Sequence, residues 1–234
     1  MVGVNRAARL AVSLVVAVLV VGLGSCTPGE PGTSPGSPAV VSSSGSSSVI
    51  TPVSVPSGRL ASSLSALFQQ YANRSDATEQ ERNVLLHASV VGSISALDYE
   101  RVFASYTSCM LEHGIDFAWV KDSAGVYYTP VIDHTKVTFS DAAYEAADQE
   151  CQTLMYVVQW AYQIQQSNPD LLSDPAEAVV ACLRRKGVVD ASYTAQDFTQ
   201  QQANYVYGSS FPFDPYKGDA FACLIAQGYG YIPG

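Results

Sequence analysis

Cysteine and histidine are the residues of this 234-residue chain best suited to chemistry near neutral pH, and both are scarce, with five Cys and three His. A thiolate is a nucleophile and a soft metal ligand, and imidazole is the usual acid and base of that range. Neither falls into a catalytic pattern. The chain has no SxxK and no HExxH sequence, and its cysteines lack the CxxC spacing of a zinc site. His113, with Glu112, Asp116, Asp133 and His134, offers oxygen and nitrogen atoms to a metal, but nothing in the spacing demands one. The place of His113 directly before Gly114 favours a helix end, where its donor meets free carbonyls. Paired carboxylates that cleave glycosidic bonds leave no local signature, so a cell-wall-directed hydrolase using acids near residues 115–137 stays open as the alternative function. No catalytic residue, metal or cofactor is assigned.

Residues 1–26 place one of the cysteines. Arg6 and Arg9 precede fourteen residues, Leu10 to Leu23, in which only Ser13 and Gly22 leave the aliphatic set. This is the charge and length pattern of a secretory signal, and it stops short of the roughly 20 apolar residues of a spanning helix. Leu23-Gly24-Ser25-Cys26 resembles the lipobox of bacterial lipoproteins. The resemblance implies cleavage after Ser25, acyl chains on Cys26, and a protein held at the cell membrane on its extracytoplasmic side. Two or more acyl chains on one cysteine suffice for stable anchoring.

The remaining cysteines, Cys109, Cys151, Cys182 and Cys223, are even in number, and outside the cytoplasm disulfides are their default. The first two are 42 residues apart and the last two 41, so the chain reads as two degenerate copies, at about 95–166 and 175–234. Cys109 and Cys182 are each followed by Gly at +5, then a β-branched residue and an acid, and Cys223 is followed by Gly228. The physical unit is a cysteine near a helix end, with the glycine that lets the chain leave the helix. One bridge per copy, Cys109 with Cys151 and Cys182 with Cys223, is favoured, and each would contribute roughly 3 to 4 kcal/mol in the chain-entropy account. A crossed pairing with Cys151 bonded to Cys182 also satisfies the sequence.

Cys109-Met110-x-x-His113-Gly114 with Asp116-Phe117, and Ala146-Ala147-x-x-x-Cys151, resemble the CMxxHG motif and distal cysteine of small secreted and lipid-anchored actinobacterial proteins. Cys223-x-x-x-x-Gly228-Tyr229-x-Tyr231-x-Pro233 resembles the related CxxxxGFxYxP ending. The resemblance implies an envelope location and paired cysteines, without a reaction.

Residues 27–58, after the cysteine, contain 24 Pro, Gly, Ser and Thr in 32 positions. Such a segment cannot bury enough apolar surface to offset chain entropy, and as a coil it spans about 30 Å. Residues 59–234 then form one domain whose periodicity is helical. From Tyr99, the positions Val102, Phe103, Tyr106, Cys109 and Met110 share one face, behind a cap at Ser95. The same test predicts helices at about 60–73, 77–92, 141–166, 175–186, 195–206 and 215–227, with caps at Ser140, Asp174-Pro175 and Asp214-Pro215. The run FAWV, a KDSAG turn and VYYTPVI reads as a β-hairpin within residues 115–137. The fold class is mainly α, an α+β domain with one small hairpin.

Five rings, Tyr205, Tyr207, Phe211, Phe213 and Tyr216, lie in twelve residues. They are either a surface that stacks on sugar or peptide, the candidate binding surface, or a cover for the core beneath the second bridge. The glutamines at 159, 163, 165 and 166 are expected to face solvent. The net charge of −9 and pI near 4.6 leave no basic patch and argue against nucleic acid. Together these features predict a membrane-anchored binding or accessory module whose partner is an envelope protein or cell-wall material.

Overall fold

Side-chain oxygens start six of the eight described α-helices, three of them at the predicted caps Ser95, Ser140 and Asp174. The computed structural model describes residues 57–205 and 211–230, all within one unit, Ile50–Gly234. The apolar leader, Cys26, most of the tether and Tyr207 lie outside the described residues. The helices are α1 (Leu64–Ala72), α2 (Glu79–Val91), α3 (Ala96–Glu112), α4 (Asp141–Cys151), α5 (Tyr156–Ser167), α6 (Pro175–Arg185), α7 (Ala195–Ala203) and α8 (Gly218–Ile225). Ser63, Thr78, Ser95, Ser140, Asp174 and Thr194 each accept a first-turn N–H of α1, α2, α3, α4, α6 and α7 respectively. No helix among the described residues is long and apolar enough to cross a membrane.

The predicted hairpin is present but short. β1 (Val120–Lys121) pairs antiparallel with β2 (Tyr127–Tyr128), Val120 opposite Tyr128. Asp122 closes the turn by accepting the N–H groups of Ala124 at 2.8 Å and Val126 at 2.9 Å, while Gly125 takes the left-handed φ of 81°. Burial raises the pKa of this carboxyl, partly offset by those hydrogen bonds. Pro130 has no N–H for further pairing.

The cysteine units close as predicted, Cys109 with Cys151 and Cys182 with Cys223. Gly114, Gly187 and Gly228 all adopt left-handed φ, between 69° and 78°. Behind each, the next N–H reaches back into the helix: Ile115 to the Met110 carbonyl, Val188 to Leu183, and Tyr229 to Leu224, at 2.9, 2.9 and 3.0 Å. These are three copies of one helix ending. Around them the copies differ, with the hairpin between α3 and α4 in the first and α7 between α6 and α8 in the second.

Two cores correspond to the two bridges. The larger gathers Phe68, Leu85, Tyr99, Val102, Tyr106 and Met110, and the smaller gathers Val179, Leu183, Phe198, Cys223 and Leu224. A stack of rings runs through the first. Tyr162 lies on Tyr99 at 4.3 Å, and Phe103 on Tyr127 at 3.8 Å.

Two predicted boundaries are corrected. The single helix over 141–166 is divided: α4 ends at Cys151, a 3₁₀ turn covers Gln152–Leu154, and α5 begins at Tyr156. The cause is Glu81, whose carboxylate is fully buried. Its Oε1 accepts the N–H groups of Val157 at 2.8 Å and Val158 at 3.2 Å, and its Oε2 accepts the Thr78 N–H at 2.9 Å. The first two donors would otherwise bond within a continuous helix. Instead one carboxylate caps α2 and α5 together, at the positive ends of both dipoles. The helix expected from Pro215 begins at Gly218, because Asp214 closes a turn on the Tyr216 N–H and Gly218 takes a φ of 52°.

Replacing Glu81 by Ala removes two caps and leaves buried N–H groups unpaired. The Glu81→Ala variant is expected to lose about 2 to 4 kcal/mol of unfolding free energy in chemical denaturation. A loss under about 0.5 kcal/mol, the range of an ordinary surface substitution, would contradict the double-cap role.

Candidate functional site

A cavity of about 260 Å³ opens where α3, the hairpin, α4 and α5 meet. That is just below the roughly 300 to 1,000 Å³ of most small-molecule sites. Each wall follows from local structure. The helical spacing of Tyr156, Gln159, Trp160 and Gln163 puts all four on one face of α5, and Glu81 sets where that helix begins. α4 contributes Tyr144 and Asp148, one turn apart, and the hairpin contributes Trp119, Tyr127 and Tyr128. The Cys109–Cys151 bridge ties α3 to the end of α4 behind the cavity.

The floor is locked by hydrogen bonds. Tyr106 donates to Asp148 Oδ1 at 2.6 Å, and the Tyr144 and Thr129 hydroxyls pair at 2.8 Å. Burial raises the Tyr106 phenol pKa, and the Asp148 carboxylate raises it further by favouring the protonated phenol. Trp119 packs edge to face against Phe103 at 5.7 Å, Tyr106 at 5.1 Å and Phe117 at 5.1 Å. Trp160, at the rim, meets only Tyr156, edge-on at 6.0 Å, so no aromatic ring among the described residues covers its face.

Several polar groups of the lining are uncommitted. The indole N–H groups of Trp119 and Trp160, the Tyr128 and Tyr156 hydroxyls, and the Gln152 and Gln163 amides make no hydrogen bond among the described residues. None of them is buried without a partner; the one such side-chain atom among the described residues is Gln227 Nε2. They therefore face water or a ligand.

A second cavity, of about 430 Å³, lies across the shared wall of Phe103, Trp119 and Tyr127 and includes Glu100 and Asp116. Glu100 is paired with Lys121 and accepts the Tyr127 hydroxyl at 2.8 Å. The Lys121 ammonium holds the Glu100 carboxyl below its usual range. Asp116 is exposed. The first cavity holds a single acid, Asp148. Neither cavity brings two buried carboxylates together, the arrangement that hydrolysis of a glycosidic bond uses.

The alternative to a helix end for His113, a metal group with His134 and nearby acids, is not brought together among the described residues. His113 lies 3.5 Å from Glu150, whereas His134 lies 2.9 Å from Asp141, at opposite ends of α4. Cys109, His113 and Cys151 do place their ligand atoms within 4.8 Å of one another, but the two sulfurs are bonded to each other and supply no thiolate.

Of the predicted aromatic surface, Tyr205, Phe211, Phe213 and Tyr216 are described and partly buried. Phe211 lies on Phe198 at 5.8 Å and on Phe213 at 5.1 Å, over the second core. Tyr205 and Tyr216 pair through their hydroxyls. Three of the four glutamines expected in solvent are placed otherwise. Gln159 and Gln163 line the first cavity, and Gln165 bonds both backbone groups of Ile94, at 2.7 and 3.0 Å. The signal was present in the i, i+3, i+4 and i+7 spacing of Tyr156, Gln159, Trp160 and Gln163, a face polar enough to be taken for surface.

Burial raises the phenol pKa of Tyr99, Tyr106, Tyr144 and Tyr162 above the ordinary value near 10 of an unfolded chain. Their contribution to stability is complete below that value. It is lost as pH rises above it, because the unfolded chain gives up these protons first. Alkaline titration is expected to show tyrosinate absorbance rising together with loss of helical circular dichroism. Reversible ionisation of all fourteen tyrosines near the ordinary value, with the helices intact, would contradict the buried ring stack.

Compared with family models, curated proteins and solved structures, the chain matches none.

Proposed function

We propose that the chain is a lipid-anchored extracytoplasmic protein whose folded domain is a binding or accessory module of the cell envelope. The observation that carries it is the pairing of all four domain cysteines in two bridges, which leaves Cys26 as the one cysteine available for lipid. Persistent disulfides belong to oxidising compartments. The lipobox-like Leu23-Gly24-Ser25-Cys26 and the basic, apolar leader before it support the same location. The Pro, Gly and Ser-rich residues 27–58 suit a spacer between membrane and domain.

Binding is favoured over catalysis by the first cavity, in which rings and uncommitted amides outnumber the single carboxylate, Asp148. The mature chain would carry 10 basic and 21 acidic side chains, a charge of −11, because the leader holds two arginines and no acid. Such a surface is repelled by anionic headgroups, so the acyl chains would hold it at the bilayer.

Intact-mass measurement on the membrane fraction tests this directly. The expected species begins at Cys26, carries acyl chains, and gains four hydrogens on reduction, two for each bridge. A full-length product in the soluble fraction with reactive thiols would overturn it.

A further inference from the structure

We infer that the first cavity is a binding site for a neutral oligosaccharide, with a pyranose ring laid against the open face of Trp160 and its hydroxyls met by Asp148, Gln152 and Gln163. The inference deepens the proposed binding role by naming a ligand class.

Three observations converge. The first is ring geometry. A sugar presents a flat, weakly apolar C–H face, and an indole with an unstacked face on a fixed helix is its natural complement. Trp160 is such an indole, beside the half-exposed Tyr156 at the cavity rim. The second is the kind of polar group. A hydroxyl both donates and accepts, as does a glutamine amide, so Gln152 and Gln163 can meet adjacent hydroxyls in either sense. Asp148 keeps one oxygen, Oδ2, without a protein donor among the described residues, because Tyr106 takes the other. The indole N–H of Trp160 and the Tyr156 hydroxyl add further uncommitted donors. The third is charge. No Lys or Arg lines the cavity, which leaves a phosphate or an anionic polymer without a counter-charge.

Two other ligands share part of this chemistry. A quaternary ammonium suits rings and a carboxylate, but it donates and accepts no hydrogen bond and would strand the amides, indoles and hydroxyls. A proline-rich peptide suits aromatic walls, and residues 27–38 of this chain are one. That segment, however, carries an acid, Glu30, and no base, so it brings like charge to the Asp148 carboxylate. A saccharide satisfies both sets of groups. The walls are also set in advance by the Tyr106–Asp148 and Tyr144–Thr129 hydrogen bonds, which lowers the ordering cost of binding.

The chain contains two tryptophans, of which Trp119 also lines the second cavity, so the Trp160 indole signal, assigned by its loss in Trp160→Ala, reports on the first. The experiment uses the full chain in a polyoxyethylene detergent, free of sugar and choline headgroups. It is titrated with β-1,4-linked tetramers of glucose and of N-acetylglucosamine, with a mannose tetramer, with choline, and with a peptide of residues 27–38. At least one tetrasaccharide is expected to move the indole N–H resonances saturably below about 1 mM. Trp160→Ala should weaken that binding by about tenfold or more, and Trp160→Phe should restore most of it. Should Trp160→Ala fail to fold, Gln163→Ala and Asp148→Asn are read in its place, with the same weakening expected. No indole response to any tetrasaccharide at about 10 mM overturns the inference, as does a response to choline or the peptide alone. Failure here leaves the anchored module intact, since that rests on the mass of the membrane-bound species.

Discussion

The carboxylate of Glu81 is the constraint on which the larger half of the domain depends. A buried charge is costly unless its lone pairs are taken up, and here they accept the Thr78 hydroxyl and three backbone N–H groups from two helix starts. The two helix dipoles add to that stabilisation. The consequence is geometric. α2 and α5 meet at one point, and the direction of α5 follows from it. Tyr156, Gln159, Trp160 and Gln163 then face the hairpin and α4 across a cavity.

The rest of the first core holds that arrangement from the other side. The Cys109–Cys151 bridge joins α3 to the last residue of α4, just before the chain turns through Gln152–Leu154 toward the Glu81 cap. Stacked rings fill the space between, and Tyr106 links α3 to α4 through Asp148. The second core uses its aromatic residues differently. Phe211 lies between Phe198 and Phe213, and Phe198 meets Tyr229 edge to face, so their area goes into packing over a small, mainly aliphatic core. Similar cysteine frames thus support two differently built units, one with a ring-walled cavity and one with rings packed over its core.

How much of this was legible in the sequence depended on range. Caps, helix faces and the Cys-to-Gly helix endings are local, written within one or two turns, and they recur at Ser95, Ser140, Asp174, Gly114 and Gly187 in the structure. Near-equal separations of 42 and 41 residues pointed to the pairing of the bridges, which the structure bears out. The break at 152–155 was not legible, because its cause lies 76 residues away in Glu81. The cavity was missed for a related reason. Glutamines on a helix end resemble a solvated face until the hairpin is known to fold across them, and of the aromatic cluster at 205–216, Phe211 and Phe213 pack against the second core.

An experimental structure of the full chain grown with the tightest-binding neutral tetrasaccharide addresses cap and cavity together. The account predicts a pyranose ring over the Trp160 face, hydroxyls within hydrogen-bond distance of Asp148 and Gln163, and α5 starting at Tyr156 on the Glu81 carboxylate. Sugar seated elsewhere with this cavity empty, or α4 and α5 running on as one continuous helix, would contradict it.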